Sequence, residues 1–263
     1  MFRIGLIGLG AIGDVVAAAI ANKVLPDVEI ACGLVRTARS GPSPFLVTND
    51  PDAFFAVEVD AVIEGAGHEA IRSHAERALK RSDLLVTSVG ALTDDALRER
   101  LIATARANGH RLILPSAGIG ALDILSAAAI GGLDEVVMIV RKQPSAWLDT
   151  EAEKLVDLHN LKEPAIVYDG PAREGARRYP RNVNISAAVS LAGIGLDRTR
   201  LQIVADPTIT THVIEVRARG AFGSYTFVED LLPTVSNPKT GMVVGMAIVK
   251  AVRQLSSPFV IGL

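Results

Sequence analysis

A glycine-spaced turn between an apolar run and an alanine-rich stretch constrains this chain more than any other feature. Phe2 to Ile7 is short and apolar, Gly8-Leu9-Gly10-Ala11-Ile12-Gly13 follows at once, and the stretch to Asn22 is rich in alanine. Read as strand, turn and helix, the order gives each glycine a task. Gly8 permits the tight turn, Gly10 lets the backbone approach a pyrophosphate, and Gly13 allows close packing of helix on strand. Ala11, Ile12 and Gly13 then open the helix, where free N–H groups and the positive end of the dipole favour phosphate. A glycine triplet alone is weak evidence. Here Val28 to Val35 supplies a second strand in the expected place, and the combination points to a dinucleotide site.

The end of that second strand discriminates between cofactors. An acidic residue there would accept hydrogen bonds from the ribose 2′-OH of NAD. This chain instead reads Val35-Arg36-Thr37-Ala38-Arg39-Ser40. Two arginines with a threonine and a serine suit a 2′-phosphate, so NADP is expected, with NAD as a second cofactor. The alternative is that Arg36 and Arg39 are solvated loop charges.

Short apolar runs at Asp60 to Glu64, Asp83 to Ser88 and Arg111 to Leu114 alternate with helical stretches at Glu69 to Lys80 and Asp94 to Ala107. Thr93 stands as the N-cap of the second of these helices. Such alternation predicts a parallel sheet covered on both faces. After Pro115 the rhythm changes. A helix from Asp123, strands at Glu135 to Lys142 and Ala165 to Asp169, and a helix at Asn184 to Gly193 precede three strand-like runs, Arg200 to Ala205, His212 to Arg219 and Ser224 to Leu231. Their short connections predict an antiparallel sheet, with Val213, Glu215, Arg217 and Arg219 on a wet face. Asn237-Pro238 opens a last helix to about Arg253. The fold class expected is α/β: a doubly wound Rossmann domain, residues 1–115, and an α+β domain.

Composition narrows the function classes. A net charge of −2 in 263 residues gives no electrostatic reason for nucleic acid or anionic membranes as partners. The only cysteine, Cys32, lies in an apolar run and is expected in the core; it excludes an internal disulfide and a cysteine-rich metal site. No metal is expected. No segment approaches the ~20 apolar residues that span a bilayer, and no signal peptide precedes the first strand, so a soluble cytoplasmic protein is expected.

Of the five histidines, His74, His110 and His159 read as surface or structural. His68 follows Glu64-Gly65-Ala66-Gly67 at the carboxyl end of a strand, near a cofactor or merely at a helix start. His212 opens a strand after Asp206-Pro207 and a threonine-rich turn.

Several blocks taken in order resemble the L-aspartate dehydrogenase family of the NAD-biosynthesis type. They are Gly8 to Gly13, Ser88-Val89-Gly90-Ala91-Leu92, Pro115-Ser116-Ala117-Gly118-Ile119-Gly120-Ala121-Leu122-Asp123, and Arg141-Lys142-Gln143-Pro144. Gly170 to Glu174, Tyr179-Pro180-Arg181-Asn182-Val183-Asn184, Asp206-Pro207, His212, Gly220 to Gly223 and Asn237-Pro238-Lys239-Thr240 complete the series. The resemblance implies His212 as the catalytic histidine and cofactor contacts at Ser88, Ala117, Gly118 and Asn184. It implies that the last helix returns to the Rossmann domain, so that 1–115 and 237–263 bind the dinucleotide while 116–236 serve substrate and dimerisation in a homodimer. It also implies oxidation of L-aspartate, with hydride passing to nicotinamide. Lys142 and Lys239 are the lysines within the shared blocks, and Asn182 an amide donor, for the two substrate carboxylates; solvated side chains are the plain alternative.

Three departures fall near the substrate. The family's Ser-Gly-Ala reads Ser116-Ala117-Gly118 here, the turn before His212 is about two residues short with Thr210 or Thr211 in place of an asparagine, and Gly241 replaces a serine. They leave two other expectations open: a dehydrogenase or imine reductase of the same family with another substrate, and a non-catalytic nucleotide-sensing module.

Overall fold

The computed structural model describes residues 1–38, 41–180, 183–232 and 243–262. Two compact units emerge, Met1–Ala117 with Gly245–Leu263, and Gly118–Val244. In the first, β1 (Phe2–Ile7), α1 (Ala11–Ala21), β2 (Val28–Leu34), β3 (Leu46–Thr48), α2 (Pro51–Ala56), β4 (Ala61–Glu64), α3 (His68–Leu79), β5 (Asp83–Val86), α4 (Asp95–Asn108) and β6 (Leu112–Ile113) follow one another. Their six strands lie in the order β3-β2-β1-β4-β5-β6, every pairing parallel. That is the Rossmann order, reversing at β1, and the expected α/β class holds. The β-branched and leucine content of β4 and β5 follows from burial on both faces: Val62, Ile63, Leu84 and Leu85 are all at most 2% exposed.

Local chemistry sets the helix starts, and one expectation is corrected. Thr93 does not cap α4. Its hydroxyl turns back to the carbonyl of Gly90, and Asp94 is the cap, with Oδ1 accepting from the Leu97 amide at 3.0 Å. The residues 89–93 form a 310 turn, which moves the helix start one residue on. Gly109 ends α4 in the left-handed conformation, the usual glycine role past a helix C-terminus. Asp50 and Pro51 open α2 in the favourable order of cap and first-turn proline. Cys32 is fully buried, and burial pushes its thiol up to about 11, as befits a core residue.

The second unit contains α5 (Leu122–Gly131), β7 (Leu133–Lys142), β8 (Ala165–Pro171), α6 (Ala172–Arg178), α7 (Val183–Ala192), β9 (Arg200–Ala205), β10 (His212–Gly220) and β11 (Gly223–Leu231). Its sheet runs β11-β10-β7-β9-β8. It is mixed rather than wholly antiparallel, because β7 and β9 pair in parallel. The long segment between them, with β8 and two helices, has room for the crossover a parallel pair requires. Ile214, Val216 and Ala218 are buried while Arg217 and Arg219 are exposed, so the alternation read in β10 holds.

The last helix, α8 (Val243–Ser256), joins the first unit from Gly245 onward. Ile248, Ala251 and Val252 enter one core cluster with Ile4, Leu6, Val16 and Ile63, and Arg253 donates to the carbonyl of Val24 at 3.1 Å. The return of this helix, implied by resemblance, is therefore seen. Asn237 and Pro238, expected to open it, lie outside the described residues. Among the described residues no helix is long and apolar enough to cross a membrane.

Candidate active site

The glycine turn sits at the carboxyl edge of the first sheet, where ligands of open α/β sheets bind. Gly8 has a φ of +94°, and a Cβ there would come within 2.9 Å of the Ala66 methyl. Gly13 is buried, with the Gly8 carbonyl 3.2 Å from where its Cβ would stand. Gly10 differs: nothing lies within 4 Å of its missing Cβ. As the N-cap of α1 it offers no side chain to the helix, so the amides of Ala11 and Ile12 have no side-chain cap. The Ile12 side chain packs inward over Gly65, leaving only its backbone for a ligand. An open concavity at an uncapped helix start fits a dinucleotide pyrophosphate.

Arg36 is exposed just past β2, and the stretch from Arg36 to Ala38 carries no acid. Arg39 lies outside the described residues. At the ends of β4 and β5, one carboxylate organises both loops. Glu64 is 1% exposed and accepts from the amides of Ala66 and Gly67, each at 2.7 Å. It also accepts from the Ser88 amide at 3.1 Å and the Ser88 hydroxyl at 2.9 Å. Both Ser88 donors are thus committed to Glu64. Ala117 packs against the core of this unit. His68 is the first residue of α3, while His74 faces Phe55, its basicity lowered by burial and by Arg77.

In the second unit, register gathers the polar residues. Val213 pairs with Arg141, so one step further His212 stands beside Lys142. Both are buried, at 9% and 4% exposure, on the face shared by Ile214, Val216 and Val140. The Lys142 ammonium lies 5.7 Å from the centre of the Trp147 ring, a cation–π arrangement. Asp206 shapes the approach to His212: its Oδ1 accepts from the Thr208 amide at 2.9 Å and hydroxyl at 2.6 Å, and its own amide donates to the Lys142 carbonyl. The short threonine turn is therefore built on an Asx motif.

Gly118 meets the start of α7. A Cβ on Gly118 would lie 3.3 Å from the Ile185 side chain, one residue beyond Asn184 in the first turn of α7. Gly120, in the same turn, donates to Glu229 Oε1 at 2.7 Å, and Phe227 fills the space its Cβ would need. Glu229 lies on β11 opposite Ile214, and Leu231 opposite His212, so β11 joins the Gly118 turn to the histidine. Burial raises the Glu229 carboxyl above its ordinary range, against the Gly120 amide, which lowers it. Asn182 and Lys239, the other expected carboxylate ligands, lie outside the described residues. Sequence reasoning missed Glu64, Asp206 and Glu229; only Asp206-Pro207 carried a signal, as a turn before a strand.

Residues 8–115 match the model of the homoserine dehydrogenase NAD-binding domain, and residues 123–255 that of the aspartate dehydrogenase C-terminal region. The chain is 39% identical to an L-aspartate dehydrogenase of Ralstonia pickettii over 95% of its length and 96% of the relative's. It is 40% identical to one of Pseudomonas aeruginosa over the same shares. The crystal structure of aspartate dehydrogenase from Thermotoga maritima superposes with a TM-score of 0.80, covering 100% of both chains at 24% identity, which shows the shared fold. With an NAD-binding half and an aspartate dehydrogenase half in one chain, matched end to end, this protein belongs to the aspartate dehydrogenase family.

Proposed function

We propose that the protein catalyses NAD(P)-dependent oxidative deamination of L-aspartate, with NADP preferred. The observation that carries this reading is the β10–β7 register, paired as far as Val213 and Arg141, whose extension by one step brings buried His212 and Lys142 to the same face. A proton-handling imidazole next to a carboxylate-binding cation is what deamination of a dicarboxylic amino acid needs. Residues 1–115 with 237–263 hold the dinucleotide, through Gly8, Gly10, Ala11, Ile12, Gly13 and Arg36, with Ser88, both donors taken by Glu64, fixing the loop beneath it. Residues 116–236 hold the substrate, with Ala117, Gly118 and Asn184 serving the nicotinamide side.

Held there by the glycine turn and Arg36, an oxidised nicotinamide would supply the acceptor for the Cα hydrogen of aspartate, transferred as hydride. The amino nitrogen loses a proton and becomes the nitrogen of iminoaspartate. Water then adds to the imine carbon, and the C–N bond breaks to leave oxaloacetate and ammonium. His212 takes the proton from the attacking water, a role suited to a group with a reference pKa of ~6.5. Lys142, anchored over Trp147, holds a substrate carboxylate, with Asn182 and Lys239 as further donors.

Purified protein mixed with NADP and L-aspartate should generate the absorbance of the reduced cofactor. Reduction only with a different amino acid would support the second reading, an oxidoreductase of this family with another substrate, which the short turn before His212 favours. Cofactor binding without reduction of any substrate would point to a nucleotide-sensing module. Replacing Arg36 with glutamate should weaken NADP about 10- to 100-fold, the range for losing a charge-assisted hydrogen bond, while NAD binding is kept or improved. A variant that still prefers NADP would remove Arg36 from the 2′-phosphate site. The same reading makes the protein a cytoplasmic homodimer, which sedimentation of the purified chain checks for the oligomer.

A further inference from the structure

Glu64 is held in a way that a purely structural residue does not require. Four donors converge on its carboxylate, all of them uncharged: two loop amides, a third amide and a hydroxyl. The ion pairs of the same sheet, Arg3 with Glu29 and Arg111 with Asp83, lie at its opposite, amino edge. Glu64 closes β4 at the carboxyl edge, 1% exposed and, among the described residues, without a cationic partner. Dipoles stabilise a buried carboxylate without supplying the opposite charge that an ion pair would bring to that edge.

What lies there follows from the strand order. A dinucleotide straddles the point where the order reverses, here β1, with one mononucleotide half on each side. Arg36, just past β2, assigns the adenosine 2′-phosphate to the β2 side. The nicotinamide half is left to β4 and β5, whose loops Glu64 ties together through Ala66, Gly67 and Ser88. The two redox forms of that ring differ by one unit of positive charge.

We propose that Glu64 is a positioning residue that also sets the redox preference of the site: its buried charge favours the oxidised, cationic nicotinamide over the reduced, neutral one. This rests on the dinucleotide reading above and deepens it. Glu64 does not touch the reacting carbon. It acts through the loops it holds and through its field.

The test is equilibrium binding of NADP⁺ and of NADPH, followed by titration calorimetry on the wild type, Glu64→Gln and Glu64→Asp, with a melting curve for each. Glu64→Gln should raise the ratio of the NADP⁺ to the NADPH dissociation constant about five- to tenfold, as expected for loss of one unit charge some way from the ring. Glu64→Asp keeps the charge on a shorter stem, so both forms should weaken while the ratio stays at the wild-type value. A merely structural role predicts equal weakening of both forms in both variants, and that result would overturn the proposal. Should Glu64→Gln fail to fold, the wild type alone decides: it should hold NADP⁺ at least as tightly as NADPH, and the opposite order refutes the idea. A wild type that binds neither form would instead sink the dinucleotide reading, and this inference with it.

Discussion

Replacing Gly10 with alanine will leave the protein folded but cut its affinity for NADP and NAD at least about tenfold. The two effects separate because the missing Cβ of Gly10 points into open space, with nothing within 4 Å. Its φ of −106° is one that alanine adopts freely, so the backbone is not strained. Losing glycine at an N-cap costs a few tenths to about 1 kcal/mol, and the stiffer unfolded chain returns a similar amount. Binding has no such offset. A methyl placed where the backbone approaches a pyrophosphate pushes the phosphates off the amides of Ala11 and Ile12, and each charge-assisted hydrogen bond lost is worth about 1.5–3 kcal/mol. Gly10→Ser sharpens the test, since serine is a better N-cap than glycine. Its melting temperature should hold or rise while cofactor affinity still falls. Unchanged affinity in both variants, by calorimetry, would show that the phosphates bind elsewhere.

The second large effect belongs to His212. His212→Ala should lower kcat with L-aspartate by about 10²–10⁴-fold, the usual worth of a positioned acid–base group. Because His212 is assigned to proton transfer and not to holding the cofactor, NADP affinity should stay within about twofold of wild type. His212 is buried at the start of β10 beside Lys142, so a lower melting temperature is expected as well. Added imidazole distinguishes the causes, because it restores a proton carrier but not a fold. Partial rescue of turnover supports the acid–base role; full activity without imidazole would remove His212 from the reaction.

The half of the molecule read most easily was the one whose pattern is local. The glycine turn, the runs ending at Ile7, Leu34, Glu64 and Val86, and the helices between them announce their period and punctuation within a few residues. Even there β3 and α2 passed unread, since three strand residues and a six-residue helix hardly differ from a loop rich in proline and aspartate. Asp50-Pro51 was a legible helix start that lacked a long enough apolar stripe behind it. Distant pairings were out of reach. Glu64 ends an apolar run, but that it would take both donors of Ser88, 24 residues on, depends on β4 and β5 lying side by side. Likewise His212 and Lys142 each stood in a recognisable block, yet their adjacency is a matter of strand register between β10 and β7. The parallel pairing of β7 with β9 also depends on a crossover that short-range turn signals do not reveal.

Placing α8 in the first unit has a consequence for how the chain is made. Ile4, Leu6 and Val16 share their core with Ile248 and Val252, so the earliest apolar surface synthesised waits for residues almost 250 positions later. At ~5–20 residues per second on the ribosome, that delay is roughly 10–50 s, long compared with the collapse of a small domain. During it, β1 and α1 present an uncovered apolar flank while the whole Gly118–Val244 unit is being produced. The second unit, contiguous in sequence, is free to fold as it emerges. The nucleotide half, begun first, is completed last, and the interval is when nascent chains on neighbouring ribosomes are most exposed to one another.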